Sequence, residues 1–142
     1  MNGVNDLTDL GHWLTAQSLP EQPYGFIYLI TNNVTHKKYI GKKQMLTTQK
    51  RKPLKGKVNK RHSIVSTDWK SYTSSCNELN KDIEQYGKDQ FTFEILQFCN
   101  SKSELAYYEA KEQFNREVLL KEDYYNGIIN LRIGKIKNIK KT

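Results

Sequence analysis

The chain has 142 residues, which is enough for one compact domain with a real core and leaves little room for a second. Hydrophobic residues make up 37% of the sequence and aromatic residues 11%, so the composition excludes a disordered chain. The formal net charge of +8 favours a polyanionic partner, either nucleic acid or an acidic membrane surface.

The positive charge is segregated along the chain. From Gln22 to Thr67 there is no Asp or Glu, and the same stretch holds eleven lysines and arginines. The last nineteen residues, from Tyr124, also lack acids, whereas the acids lie mainly between Asp68 and Asp123. Acid-free basic segments of this kind are suited to contact with phosphates.

The cysteines and histidines give no metal or disulfide pattern. Cys76 and Cys99 are isolated and form no CxxC, and His12, His36 and His62 fall at no zinc-like spacing near them. Two free thiols in a reducing cytosol are expected. The acidic N-terminus and the lack of a long apolar run predict a cytoplasmic protein with no membrane partner.

Apolar residues recur at helical spacing near the N-terminus, and they predict an amphipathic helix over residues 2–17. Two prolines then end it, so we expect an N-terminal helical arm over residues 1–24 that packs on the domain but carries no chemistry. The apolar positions of this arm are Leu7, Leu10, Trp13 and Leu14.

Two short runs rich in aromatic and β-branched residues follow the arm. Residues 25–31 and 36–41 predict strands, and the turn-forming asparagines between them predict a β-hairpin. Residues 42–67 are polar and basic, are interrupted by Pro53 and Gly56, and predict a long loop with at most one short helical piece.

A helix is predicted next, over residues 75–86. Ser74 or Ser75 is the expected N-cap, and Gly87 supplies the C-terminal stop. Residues 91–98 alternate in the manner of a third strand.

The C-terminal third contains the clearest helical pattern. It covers residues 101–120, with Ser101 or Ser103 as the expected N-cap, and a short strand is predicted at residues 128–133. The elements together predict an α/β (α+β) domain over residues 25–134. Its small, mainly antiparallel three-stranded sheet is flanked by helices, and a basic tail follows over residues 135–142.

The predicted hairpin carries a pair of tyrosine motifs. Phe26-Ile27-Tyr28 is followed, after ten residues, by Tyr39-Ile40-Gly41, and the pair resembles the signature of the GIY-YIG nuclease family. Phe26 stands where the signature has Gly, although Gly25 lies just before it, and that Gly is not a catalytic group. Tyrosines on neighbouring antiparallel strands can face the same side, which serves either a shared site or simple cross-strand packing.

The resemblance continues in chain order and spans roughly residues 25–130. Lys42 follows the second motif, as in bacterial excision-repair members, and Trp69-x-x-Tyr72-x-Ser-Ser resembles a block common in phage-type members. Glu109 lies inside a helix where the family places its metal-binding glutamate, and Tyr125-Asn126 resembles the family's closing Tyr-Asn.

The resemblance implies an endonuclease that uses Mg²⁺ (or Mn²⁺) to hydrolyse phosphodiester bonds, with DNA favoured over RNA. It implies that Tyr39 is the general base, Tyr28 an orienting group and Glu109 the metal ligand. Lys42 and Asn126 complete the implied catalytic set. Because the pKa of an ordinary tyrosine lies near 10, Tyr39 would need Lys42 or the metal to favour its phenolate.

The arginine that would clamp the phosphate is not settled by spacing. Family members with a short segment place it soon after the second motif, where Gln49 stands here and Arg51 lies nearby. Arg61, with His62 beside it, lies where some restriction-type members carry a longer insertion, and we favour it on that analogy. One more solvated cation in a charged loop is an equally consistent interpretation.

The other cations of the basic stretch are expected to contact phosphates, together with Tyr72. They are Lys43, Lys50, Arg51, Lys52, Lys55, Lys57 and Lys60. No separate DNA-binding domain fits in the chain. Recognition of a site must therefore come from this loop, the N-terminal arm, the basic tail or a homo-oligomer.

Two other classes of function compete with a nuclease. One is a non-catalytic nucleic-acid-binding protein or an inactive nuclease relative, and the other is an interaction module for acidic protein or lipid. A pure binder does not need an acid such as Glu109 in a basic site. The lack of a basic amphipathic helix argues against lipid. Judged without the resemblance, Glu109 would be an exposed helical residue, and Glu112 is the next candidate ligand.

Overall fold

The computed structural model describes residues 9–51, 55–56 and 61–136 of the chain. These ranges contain six strands and two α-helices. The strands are β1 (Leu14–Thr15), β2 (Gly25–Asn32), β3 (Lys38–Gln44), β4 (Leu46–Arg51), β5 (Arg61–Ser66) and β6 (Phe91–Cys99). The helices are α1 (Asn77–Tyr86) and α2 (Lys102–Asn115). Neither of these two described helices combines the length and the apolar composition needed to cross a bilayer.

The main sheet has four strands in the order β1-β6-β2-β3. β2 pairs antiparallel with both β3 and β6, and the short β1 pairs parallel with β6. The α+β class, the predicted hairpin and the third strand are confirmed. The expected three-stranded sheet gains a fourth strand, β1, which the sequence pattern did not indicate.

β2 is the centre of the domain because both of its faces are covered. Phe26, Tyr28 and Ile30 alternate onto one face, in a core that also contains Leu79 of α1. Ile27 and its neighbours lie on the opposite face, in a second core that includes residues of α2. The sheet is therefore sandwiched between the two helices, which explains why nearly every residue of β2 is buried.

The predicted N-terminal helix is wrong in the part that the structure describes. Residues 9–17 form a turn and then β1 rather than a helix. Trp13 inserts into the first core, and its indole nitrogen donates a hydrogen bond of 2.6 Å to the Trp69 carbonyl. Leu14 is 63% exposed, so the apolar spacing did not mark a helical face. The described part of the arm is thus held on the domain by buried Trp13 and by the pairing of β1 with β6.

The long loop expected at residues 42–67 is also wrong. β3 extends to Gln44, and β4 and β5 then pair antiparallel as a separate two-stranded hairpin. Two backbone hydrogen bonds hold the base of this hairpin. The amide of buried Met45 donates to the Tyr24 carbonyl, and the amide of Thr67 donates to the Met45 carbonyl. Described side chains of this hairpin, such as Ile64, are exposed. Its strands therefore lack the alternation of apolar and polar residues by which a strand is recognised in a sequence.

The helices agree with prediction in position and differ in their ends. Gly87 ends α1 as expected, but the N-cap is Cys76, and the Ser74 hydroxyl instead accepts a hydrogen bond from the Cys76 amide. Ser101 caps α2 by accepting from the Glu104 amide. α2 ends at Asn115 rather than residue 120.

The C-terminal segment is extended and unpaired where a strand was predicted. Residues 128–133 form no strand. Upstream, Tyr124 bridges to Lys38, so the segment follows the outer edge of β3. The Lys38 amide donates to the Asp123 carbonyl and the Tyr125 amide donates to the Lys38 carbonyl. This contact covers the edge strand of the sheet.

His12 is half-buried, and its two ring nitrogens are shielded from solvent without a hydrogen-bond partner in the described residues. Its ring stacks on Phe93 with centroids 3.9 Å apart. Burial, together with the charge of Lys88, lowers the pKa of His12 from 6.5 to about 4, although the Tyr72 backbone partly opposes the shift. The folded protein thus keeps His12 neutral over a pH range in which the unfolded chain protonates it.

We expect this histidine to weaken the fold in acid. As the pH falls from about 6.5 to about 4, only the unfolded chain binds a proton at His12, so the free energy of unfolding should decrease. His12→Phe keeps an aromatic ring on Phe93 and should reduce that pH dependence, as measured by urea denaturation at each pH. His36→Asn, at an exposed turn position, is the control. Equal pH dependence in wild type and His12→Phe would contradict the assignment.

Candidate active site

Tyr28 and Tyr39 lie on the same face of the β2–β3 pair. Gly41 is opposite Tyr28 and Ile30 is opposite Tyr39, so the two tyrosines are diagonal neighbours. Their ring centroids are 6.1 Å apart and the planes are tilted by 32°. A Cβ at Gly41 would stand only 2.5 Å from Cζ of Tyr28, so the glycine makes room for this ring. The close approach at Gly41 is therefore made by the Tyr28 side chain.

The two tyrosines differ in exposure. Tyr28 is 2% exposed, and burial raises its pKa well above the usual range. Tyr39 is half-buried, and burial raises its pKa to about 12, with Cys76 and Glu109 adding to the shift. Because Tyr39 is the more accessible phenol, it is the better placed of the two to meet a substrate.

Lys42 and Glu109 lie across the sheet from the tyrosine rings. Lys42 is opposite Ile27 in the strand register and therefore faces α2. Its Nζ is 3.5 Å from Oε1 of Glu109. The structure does not support the expectation that Lys42 favours the Tyr39 phenolate, because Lys42 pairs with Glu109 and the pKa of Tyr39 is raised.

Glu109 is less exposed to solvent than Lys42, its partner in the ion pair. Its side chain is 19% exposed, against 45% for Lys42. Burial raises the pKa of this carboxyl, and Lys42 opposes the shift. The charge of this carboxylate also contributes to the raised pKa values of Tyr28 and Tyr39. Glu112, the alternative ligand, is held by Arg116 at 2.7 Å.

Asn126 binds the backbone of β3. Its Oδ1 accepts from the Ile40 amide at 3.0 Å, and its Nδ2 donates to the Ile40 carbonyl at 2.8 Å. Gln113 of α2 donates to the same carbonyl at 3.1 Å. Both ends of the Asn126 amide are thus engaged by the residue next to Tyr39, which gives Asn126 a positioning contact, and its catalytic role stays a prediction.

Sequence reasoning missed Gln113. It is 5% exposed and lies one helical turn after Glu109, so both residues face β3. The available signal was a polar residue on the same helical face as the candidate ligand Glu109. The spacing of Glu109 and Gln113 could have marked it.

Lys43 and Tyr72 lie beside the tyrosine pair. The Lys43 Nζ is 4.0 Å from the Tyr72 ring centroid, and the Tyr72 ring contacts Tyr28 edge-on at 6.2 Å. Lys43 also pairs with Asp68 at 2.8 Å, which lowers the pKa of that carboxyl. These two predicted nucleic-acid contacts thus adjoin the site, with Lys43 already partly neutralised.

The strands β4 and β5 carry four of the remaining predicted site residues. Arg51 is opposite Arg61, and Lys50 is opposite His62, at the far end of the ribbon. The side chains of these four residues lie outside the described part of the structure. Lys55 is described and exposed. Lys52, Lys57 and Lys60, also predicted as phosphate contacts, are outside the described residues.

These features define the class of the protein. A tyrosine-bearing hairpin, a glutamate-bearing helix packed on its edge strand and a basic ribbon form a nuclease-type domain. The family described as "Putative endonuclease segE, GIY-YIG domain" matches residues 12–129. The chain belongs to the GIY-YIG nuclease family, whose members are hydrolases that act on nucleic acid. Comparison with curated proteins and with solved structures gives no match.

Proposed function

We propose that the protein is a Mg²⁺-dependent endonuclease, able to use Mn²⁺, that hydrolyses phosphodiester bonds in DNA. The proposal is supported by the adjoining rings of Tyr28 and Tyr39 on the β2–β3 pair and by the Lys42–Glu109 ion pair, which ties α2 to the same strand. In this role Tyr39 accepts a proton from the attacking water, and Tyr28 orients the water or the phosphate by hydrogen bonding. Lys42 offsets negative charge on the phosphate.

The residues present fit a divalent cation. Mg²⁺ commonly binds one or two carboxylates and completes its shell with waters and substrate phosphate. Glu109 offers one poorly solvated carboxylate, which a cation would stabilise in its charged form. The described residues contain no group of three or more acidic, His or Cys ligands, so the substrate would have to complete the site. When bound, the cation would polarise the phosphate.

The raised pKa of Tyr39 is compatible with a role as base only when substrate and cation are present. Burial and nearby acidic groups disfavour the phenolate in the protein alone. A cation bound by Glu109 would offset the negative charge that opposes the Tyr39 phenolate. It would also release Lys42 from its ion pair with Glu109, so that Lys42 could bind the phosphate. In this proposal the Tyr39 phenol stays protonated until substrate and cation bind. The complete complex would then favour proton transfer from water to Tyr39.

Tyr39→Phe removes only the hydroxyl and should lower the cleavage rate about 10²–10⁴-fold at saturating DNA, with little change in affinity. Below the apparent pKa of the base, the wild-type rate should rise by about tenfold per pH unit, because the deprotonated phenol is the active form. Tyr39→Phe should flatten that rise in single-turnover assays. Tyr24→Phe, at a half-buried tyrosine outside the site, is the control. Near-normal cleavage by Tyr39→Phe would reduce Tyr39 to a packing residue.

Glu109→Gln should abolish cleavage while leaving DNA binding nearly intact, because the amide keeps the shape and loses the charge that attracts the metal. Glu112→Gln is the matched control, since Glu112 lies on the same helix and pairs with Arg116. Plasmid nicking with and without Mg²⁺, alongside binding in EDTA, separates the two effects. A wild-type protein that binds DNA but never cuts it would favour the non-catalytic binder instead.

The basic hairpin is proposed as the surface that holds the DNA backbone. Neutralising Lys50, Arg51 and Lys52 together, each to Gln, should weaken binding to all sequences alike. The slope of log K against log salt should flatten by up to about 0.9 per lost contact. The control removes the same charge from exposed positions elsewhere, at Lys81, Lys111 and Lys121. An unchanged slope in the hairpin variant would place the DNA contact on another surface.

A further inference from the structure

A small pocket lies next to Lys42, between α2 and the extended C-terminal segment. Its volume is about 350 Å³, within the range of roughly 300–1,000 Å³ typical of small-molecule sites. Its lining residues are Lys42, Ala106, Asn130, Leu131, Arg132 and Ile133. The lining thus holds two cations, one amide and three apolar side chains, and no carboxylate.

The C-terminal segment reaches this pocket because it is anchored at two places before it. Tyr124 and Asn126 bind the outer edge of β3. Ile129 then packs against the second core, on the α2 side of the sheet. These anchors bring the following residues to α2, so that Arg132 and Lys42 share one pocket although they are far apart in sequence.

The pocket adjoins the proposed metal ligand. Ala106 lies three residues before Glu109, on the same helical face, and Lys42 contacts Glu109 at 3.5 Å. Arg132 has no carboxylate partner among the described residues and is exposed. A planar guanidinium that is not already neutralised can bind two oxygens of a phosphate at once.

We infer that Arg132, together with Lys42, binds a phosphate of the nucleic-acid backbone in this pocket and is the arginine that clamps the substrate. The inference rests on the proposed nuclease function. Asn130 can donate a further hydrogen bond, and the apolar walls suit the sugar next to the phosphate. Arg132 takes the role that sequence reasoning offered to Arg61, from a segment that follows Asn126 and lies far from the tyrosine motifs.

The first test measures binding without cleavage. Thymidine 3′,5′-bisphosphate serves as the probe, and calorimetry in EDTA compares Arg132→Ala and Arg132→Lys with wild type. Arg132→Ala should weaken binding at least about tenfold, and Arg132→Lys should weaken it less, because lysine keeps the charge and loses the bidentate geometry. Lys121→Ala, at an exposed lysine outside the pocket, should bind as wild type does. No binding to wild type, or equal binding by all variants, would overturn the inference.

The second test measures the single-turnover cleavage rate at saturating DNA. Arg132→Ala should lower it about 10²–10³-fold, the usual loss when one charge-stabilising donor is removed, with Lys121→Ala unchanged. A normal rate in Arg132→Ala, with the loss appearing in Arg61→Ala instead, would overturn the inference and return the clamp to the hairpin. If no variant cuts but the bisphosphate affinities follow the expected order, the pocket stands and the nuclease proposal fails.

Discussion

The position of β3 is the constraint on which the site depends. Its Ile40 peptide is bound on both sides, by Asn126 at the amide and by Asn126 and Gln113 at the carbonyl. These bonds fix the register of an edge strand whose successive side chains face opposite sides of the sheet. Tyr39 therefore points to the tyrosine side and Lys42 to the α2 side. A slip of one residue would exchange the two faces and separate the phenol from its partner Tyr28.

The described residues around the phenols of Tyr28 and Tyr39 are poorly solvated and offer little unpaired positive charge. The pKa values of Tyr28, Tyr39 and Glu109 are all raised by desolvation, and Glu109 further raises those of the tyrosines. The nearest lysines are already engaged, Lys42 by Glu109 and Lys43 by Asp68. In the proposed mechanism, a phosphate and a cation would bind such a site better together than either alone, because each would compensate the charge that the other brings.

The sequence predicted the parts of the fold that rest on buried, regular elements. The paired strands at Tyr28 and Tyr39, the third strand and both helices were found because their apolar patterns face a core. The N-terminal helix failed because Trp13 was taken as one position of a stripe, whereas it is a single buried anchor. The hairpin at residues 46–66 failed because its strands pair with each other and carry exposed residues such as Ile64. The role of Asn126 and the pocket at Arg132 depend on where an irregular segment runs, which no local pattern encodes.

The residues proposed for the chemistry lie apart from the hairpin proposed to bind nucleic acid. The tyrosines and Glu109 lie on elements fixed by two cores and by the bonds to Ile40. The basic ribbon pairs only with itself among the described strands and is tied to the domain at its base through Met45 and Thr67. We therefore expect changes along β4 and β5 to leave the geometry around Tyr39 undisturbed, because no other described strand pairs with them. The extended segment after Asn126 differs in this respect. It is anchored to β3 itself, so a substitution at one of its anchors would shift the strand that carries Tyr39.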